Sequence, residues 1–509
     1  MDAVFHNLLL GFQVALAPKM LAYGFIGCLV GTLVGVLPGI GPVGAVSLLL
    51  PVTFGLDPTG ALILMAGIYY GAMYGGSTTS ILMRIPGEAA SVMTCLDGYA
   101  MARQGRAGAA LGISAFGSYI AGTAGVIGLM LVAPPLARFA LRFGPPESFA
   151  LLALALVALG YMNSGSTAKA LAMMIAGLML GMIGIDPITG YYRFTFGISA
   201  LADGIGIVPV AVGLFGVAEV LASAAQATPP DVIRAPKLRD LFPSRAEWRA
   251  SAAPIGRGTV LGFLIGVLPG PGHIISTFVS YAVERKMSKR PERFGHGAIE
   301  GVAGPESANN AATCGALIPM LSLGLPSSPT IAVIIAGLMI HGLTPGPLLA
   351  REHPDLFWGF IASMYIGNVM LLIMNLPLVG LFVNVLRVPY GILYPIILMF
   401  CVLGVYADNH SVVDVGIMIV MGVAGYALRA FGFEPAPVIV GVVLAPMVEL
   451  AFRQSLTLSG GDYAIFVTRP IAAVLLAAAA IVLASAAISG IRGATRAGTA
   501  RAPVEEPHA

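Results

Sequence analysis

Long apolar runs alternate with short polar interruptions along nearly the whole chain. Runs rich in Ala, Leu, Ile, Val, Gly and Met cover about residues 20–37, 60–74, 108–133, 147–162, 168–185 and 205–225, then about 256–268, 311–324, 330–342, 357–385, 391–406, 411–428, 436–452 and 470–490. A helical span of a bilayer needs roughly 20 apolar residues, and the clear cases reach that length. Several runs are shorter and end in Gly, Pro, Ser, Thr or Asn, which predicts half-helices or re-entrant hairpins. The pattern predicts an all-α polytopic membrane protein with about 10–14 membrane segments. Residues 1–19 lack a basic leader and a cleavage site, so they read as retained, either an amphipathic lead-in or the start of the first span.

Residues 226–257 break the pattern. Pro229, Pro230, Asp231, Arg234, Lys237, Arg239, Asp240, Arg245, Glu247 and Arg249 mark an aqueous basic linker. It separates a first membrane repeat (1–225) from a second (258–490), and residues 491–509 form a polar tail. The two repeats share landmarks in order. Gly35-Val36-Leu37-Pro38-Gly39-Ile40-Gly41-Pro42 returns as Gly266-Val267-Leu268-Pro269-Gly270-Pro271-Gly272-His273. Ile85-Pro86-Gly87 returns as Leu325-Pro326-Ser327, and Leu159-Gly160 as Leu403-Gly404. The spacing between partners lengthens slowly, as small insertions in a duplicated half would make it.

Loop charge predicts that the repeats are inverted. Basic residues favour the cytoplasm. Loop 54–59 has none, whereas its counterpart 284–293 holds Arg285, Lys286, Lys289, Arg290 and Arg293. Loop 97–106 holds Arg103 and Arg106, whereas its counterpart 341–347 has none. The linker and the tail, with Arg492, Arg496 and Arg501, are then cytoplasmic. Arg138 and Arg142 fit this scheme only if 107–133 is a hairpin. Inverted repeats with discontinuous helices place substrate and ion sites where the breaks of the two halves meet.

Composition narrows the reading. The 509 residues are 57% hydrophobic and 10% charged, against roughly 25% charged in soluble domains, so lipid must solvate most of the surface. The 65 glycines predict close helix contacts. The four cysteines, Cys28, Cys95, Cys314 and Cys401, lie far apart and read as small buried hydrophobes. The net charge of +3 says nothing about nucleic acid. Asn163, Lys169, Asp186, Glu219, Asn368, Asn375, Asp408, His410 and Asp414 read as structural or interfacial, and Trp248 and Trp358 as interface markers.

Four motifs are candidates for chemistry. Proline removes a donor and glycine permits positive φ, so the two Pro-Gly motifs predict helix ends inside the membrane. Their freed carbonyls can ligate a cation, and the following N–H groups can receive an anion. Gly39, Gly41, Gly270 and Gly272 are therefore cation-site candidates, together with Glu306. In Tyr74-Gly75-Gly76-Ser77-Thr78-Thr79-Ser80 the hydroxyls can donate to a carboxylate or coordinate sodium. Arg84 either pairs with a substrate carboxylate or with Glu88, four residues on. Gly304-Pro305-Glu306-Ser307-Ala308-Asn309-Asn310 offers adjacent amides, and Leu325-Pro326-Ser327-Ser328 is the partner of the Pro86 break. Ser77, Thr78, Thr79, Arg84, Asn309, Asn310, Ser327 and Ser328 are the substrate-site candidates. The sequence has no GxxxxGK[ST], HExxH or GxSxG, and no cofactor or resident metal is expected. Work must come from an ion or solute gradient, with Na⁺ or H⁺ as coupling ion.

GVLPGIGP, the stretch from YGGSTTSILMRIPGE to GRAGAALG, GPESANNAATCGALIPMLSLGLPSS and IHGLTPGP resemble the large membrane subunit of tripartite tricarboxylate transporters, the TctA family, over about residues 20–490. The resemblance implies a non-enzymatic secondary importer of di- or tricarboxylates in the bacterial inner membrane, driven by a cation gradient. It also implies two partners, a small membrane subunit and a periplasmic solute-binding protein. By motif, Gly39, Gly41, Ser77, Thr78, Thr79, Gly272, Asn309, Asn310 and Ser328 would line the central site. Arg84 stands where the family often has Asn, Ser327 where Gly is common, and His273 replaces the proline of the first-half motif. The competing readings are a passive anion channel, an intramembrane enzyme and a non-transporting scaffold.

Overall fold

A computed structural model describes residues 2–37, 40–161, 166–186, 189–224, 236–385 and 390–499. The first half holds α1 (Asp2–Ala15), α2 (Pro18–Val36), α3 (Gly41–Leu49), α4 (Pro58–Met83), α5 (Val92–Arg103), α6 (Ala107–Ala140), α7 (Pro145–Tyr161), α8 (Thr167–Gly181), α9 (Ile207–Val212) and α10 (Ala218–Ala224), with a π-helical turn, Gly213–Val217, between the last two. The second half holds α11 (Arg245–Gly266), α12 (Gly272–Met287), α13 (Glu300–Leu323), α14 (Pro329–Ile340), α15 (Leu349–Glu352), α16 (Pro354–Asn375), α17 (Val379–Val385), α18 (Tyr390–Asn409), α19 (Val412–Ala430), α20 (Ala436–Leu458), α21 (Ile465–Thr468) and α22 (Pro470–Thr499). The only strands among the described residues form a two-residue antiparallel ribbon, Gly184 opposite Arg193 and Ile185 opposite Tyr192.

Five helices, α2, α6, α16, α19 and α20, are long and apolar enough to cross a membrane. Exposed Ile373, Val420, Val474 and Ile481 present apolar side chains outward, a surface that only lipid solvates cheaply. The protein is thus an all-α membrane protein. Residues 107–140 form one helix of 34 residues despite Pro134 and Pro135, about 51 Å long at ~1.5 Å per residue. The hairpin that would reconcile Arg138 and Arg142 with the charge scheme is therefore absent. In the expected linker, 225–235 lie outside the described residues. Leu238–Leu241 is a 3₁₀ turn, and α11 already begins at Arg245, capped by Ser244, whose Oγ accepts from Glu247 N. Residues 500–509 of the expected tail and Asn163 also lie outside the described residues.

Helices end at the Pro-Gly motifs and just before the Pro86 and Pro326 segments, whereas Gly304–Asn310 lies inside α13. α2 stops at Val36 and α3 starts at Gly41, and α11 stops at Gly266 and α12 starts at Gly272. Two longer helices, α4 and α13, end in left-handed residues, Arg84 (φ 60°) and Gly324 (φ 71°), followed by short segments leading into α5 and α14. Glycine accepts this conformation without strain, whereas a Cβ adds about 1–2 kcal/mol.

Glycine sets the packing of both halves. Cβ atoms built on Gly27, Gly31 and Gly35 of α2 would fall on the α4 backbone at Leu64, Ile68 and Ala72. Gly258, Gly262 and Gly266 of α11 meet α13 in the same way at Gly304, Ala308 and Ala312. At Gly262 the nearest atom, the Ala308 carbonyl oxygen, would lie 2.2 Å away. The halves also exchange contacts. Gly177 of α8 abuts the Val438 carbonyl of α20 and Gly441 of α20 abuts that of Met174, while Gly213 abuts the Met418 carbonyl of α19 and Gly422 of α19 packs on Val217.

One end of the molecule gathers the basic loops. Arg106 pairs with Glu247 at 3.0 Å, Gln104 donates to the His296 carbonyl at 2.9 Å, and buried Asp97 accepts from the Gly295, Gly297 and Ala298 N–H groups and from Tyr281 Oη. At another site Thr59 and Val14 pack near Gly359, beside the Lys19–Asp57 pair at 2.8 Å.

Gly262→Val should destabilise the purified protein by about 1–3 kcal/mol through overpacking, read as an earlier thermal transition in detergent. Gly256→Ala on the same helix, where a Cβ meets open space, should be neutral or stabilising. Arg84→Gly should stabilise by about 1 kcal/mol, with Arg84→Ala giving no such gain.

Candidate functional site

A cavity of about 440 Å³ lies where the two halves meet. Its wall takes Ile40–Val43 from the first Pro-Gly break, Pro86–Ala89 from the segment after α4, Gly270–Ile274 without Gly272 from the second break, and Pro329 and Thr330 after the 325–328 segment. Leu159, Met174, Phe215 and Val440 supply apolar surface. Arg429, Glu434, Ala436 and Pro437 complete the lining.

These are mostly first-turn residues. Gly41 to Val43 open α3, Glu88 and Ala89 open the 3₁₀ turn leading into α5, His273 and Ile274 open α12, Pro329 and Thr330 open α14, and Ala436 and Pro437 open α20. Each helix start carries roughly half a positive charge from its aligned peptide dipoles. Convergence of such ends makes a cavity receptive to anions without placing several lysines in lipid. Proline in three of these first turns removes donors where the helix ladder does not use them.

The breaks are tied to one another. Gly270 (φ 134°) donates its N–H to the Ser327 carbonyl at 2.8 Å. Ser327 Oγ donates to the Ala316 carbonyl at 2.7 Å, and Ser328 Oγ caps α14 by accepting from Ile331 N. In the first half Thr79 Oγ1 donates to the Val36 carbonyl at 2.7 Å, satisfying the frayed end of α2. Gly41 (φ 61°) faces open space at its missing Cβ.

The remaining described candidates are not part of the cavity wall. Buried Glu306 accepts from Ser77 Oγ at 2.6 Å, from Ser114 Oγ at 2.9 Å and from Thr94 Oγ1. Asn309 Nδ2 donates to Glu88 Oε1 at 2.8 Å. Asn310 Nδ2 donates to Ser118 Oγ at 2.7 Å and to the Glu306 carbonyl. Thr78 is buried and does not line the cavity. Gly272 opens α12 and packs on the Ile265 carbonyl. Gly39 lies outside the described residues. Arg84 is exposed, 6.0 Å from the Tyr99 ring centroid, and Glu88 takes Asn309 as its partner instead. Of the thirteen candidates, Gly41 and Gly270 are on the cavity wall itself.

Sequence reasoning missed Thr94, Ser114 and Ser118, and it missed Arg429, which pairs with Glu219. One signal was available. Ser114 and Ser118 stand four residues apart on a Gly/Ala-rich helix, matching the spacing of Glu306 and Asn310, so the two pairs meet on facing helices. Arg429 had no local signal, because the α19–α20 turn that brings it to the cavity is a long-range feature.

Residues 21–440 match the profile of the tripartite tricarboxylate transporter TctA family. The chain is 49% identical over 492 residues to an uncharacterized 52.8 kDa protein of Agrobacterium vitis in the TAR-I ttuC' 3' region, an alignment covering 97% of this chain and 98% of that protein. It is 50% identical over 231 residues to an uncharacterized protein of the same organism in the TAR-II ttuC' 3' region, covering 45% of this chain and 96% of that protein. No solved structure matches. With the family profile spanning most of the sequence and the paired helix breaks in place, the chain belongs to the tripartite tricarboxylate transporter TctA family.

Proposed function

We propose that this chain is the membrane-embedded transport subunit of a bacterial inner-membrane system that imports di- or tricarboxylates by cation-coupled alternating access. A periplasmic binding protein delivers the substrate, and a small membrane subunit completes the complex. The observation that carries the reading is the convergence of five helix starts on one cavity between the halves. A carboxylate there gains from several dipole ends at once, in surroundings where water does not screen them.

An inverted arrangement of the two repeats belongs to this reading, and three sets of contacts support it. Loops 97–106 and 284–298 are joined by hydrogen bonds and belong to non-equivalent positions of the two repeats. Thr59 of the first half packs near Gly359 of the second. Contacts exchanged between α8 and α20, and between α19 and the Gly213–Val217 turn, favour a pseudo-two-fold relation. In this scheme a rocking or elevator-like motion opens the cavity to each face in turn. The Glu306 cage and the Asn310–Ser118 bond hold α13 to α4, α5 and α6, so these helices move as one body. The coupling cation is H⁺ or Na⁺.

Two outcomes test this reading. Ala89→Trp projects a large ring from an exposed position on the wall, and should lower carboxylate uptake into proteoliposomes by about tenfold or more, equivalent to ~1.4 kcal/mol of binding, while Val474→Trp on the outer surface should not. Uptake by the complete complex should collapse when the cation gradients are dissipated. Gradient-independent flux with single-channel currents would instead mean a passive pore.

A further inference from the structure

The cavity wall holds a group that opposes an anionic ligand. Glu88 is 8% exposed and lines the cavity among the helix starts. Its Oε1 accepts from Asn309 Nδ2, and none of the ion pairs among the described residues includes it. A carboxylate substrate entering the cavity would meet this carboxylate in a low-dielectric setting, where like charges repel strongly. The dipoles that attract the substrate do not remove that repulsion, whereas one proton on Glu88 does.

Asn309 is built to accept either state. It is 1% exposed, and its Oδ1 is buried with no hydrogen-bond partner. An unpaired buried acceptor is costly. A half-turn of the amide exchanges Nδ2 and Oδ1. The ionised Glu88 then accepts from Nδ2, and the protonated Glu88 donates its O–H to Oδ1. The Glu88–Asn309 hydrogen bond is kept before and after a proton arrives, and Oδ1, unpartnered while Glu88 is ionised, gains a partner in the protonated state.

We infer that Glu88 is the proton-binding group that couples substrate movement to a proton gradient. This rests on the carboxylate-transport reading above. A proton passes from water to a Glu88 carboxylate oxygen as the anion enters, and returns to water on the other side when the anion leaves, so one proton crosses with each substrate. Charged and titratable groups around Glu88 come from each neighbouring element. His273 of α12 and Arg429 and Glu434 near the α19–α20 turn share the cavity wall. Arg429 is engaged with Glu219. Glu306 of α13 is held by its three hydroxyl donors, Tyr69 of α4 is buried nearby, and exposed Arg84 lies on the same segment. His273 is the other candidate for a bound proton and serves as the control.

The test is calorimetric titration of the purified full-length protein with succinate, malate and citrate at pH 8, in two buffers of different ionisation heat. The buffer dependence of the heat counts protons. Wild-type protein should take up about one proton per bound substrate. Glu88→Gln should bind with no proton uptake, and its affinity should no longer fall as pH rises, as that of the wild type does. In proteoliposomes that variant should still exchange substrate but no longer respond to a pH gradient. Proton uptake that persists in Glu88→Gln overturns the assignment, as does sodium-dependent wild-type binding without proton uptake. If Glu88→Gln does not insert, His273→Gln decides, since loss of proton uptake there transfers the role to His273 and retention supports Glu88. Absence of any carboxylate binding by wild-type protein would reject the transport reading itself.

Discussion

Backbone meets backbone along α2–α4 and α11–α13, and the remainder of the structure depends on that contact. Nothing in a bilayer drives helices together as water does in a soluble core, so association relies on close van der Waals fit. Gly31 on Ile68 and Gly262 on Ala308 give that fit. The close approach buries α4 and α13 almost completely. These two helices carry the polar side chains, which would be costly anywhere lipid could reach them.

Once α4 and α13 are enclosed, polar chemistry becomes affordable at their core. Glu306 can sit among Ser77, Thr94 and Ser114 because every donor is held on a helix that cannot retreat. The same enclosure lets the helices break. An unfinished helix end in lipid leaves carbonyl and N–H groups unmet, yet Thr79 Oγ1 reaches the Val36 carbonyl and Gly270 N–H reaches the Ser327 carbonyl. The breaks then turn their starting ends, and the dipoles that go with them, toward a shared cavity. Packing, broken helices and anion affinity form one causal sequence.

Much of this was legible in the chain. The apolar runs located the longer apolar helices but passed over α3, α5, α12, α15 and α21, which are short or carry polar residues, and the Pro-Gly and Ile-Pro-Gly landmarks located the breaks, because both signals are local. Of the candidate cation ligands, Gly41 and Gly270 lie on the cavity wall. Ser77, Asn309, Asn310 and Glu306 stood out as polar residues in apolar surroundings, but their bonding partners did not. Their partners lie about 200 residues away in sequence for Ser114–Glu306, and no local pattern distinguishes a hydroxyl that faces a ligand from one that faces a carboxylate on the next helix. The apolar run 108–133 stops short of the end of α6, because the helix continues through Pro134 and Pro135 to Ala140.

The two halves share a scaffold but not a chemistry, and the reason is electrostatic. Gly31 and Gly262 place Ile68 opposite Ala308 in the repeat, and Gly35 and Gly266 place Ala72 opposite Ala312. By that register Tyr69 and Tyr70 stand where the second half has Asn309 and Asn310, Ala66 stands where it has Glu306, and Leu317 stands where the first half has Ser77. A faithful duplicate would set two carboxylates near each other in a low-dielectric core, and one of them would have to be neutral. It would also leave hydroxyl donors facing hydroxyl donors. Hydroxyls on α4, α5 and α6 that donate to Glu306, and the α13 amides that donate to Glu88 and Ser118, instead complete one network across the boundary between halves. The same divergence leaves Glu88 near the cavity with Ser328 at its repeat position, so the symmetric frame holds a single acid on that wall segment rather than an opposed pair.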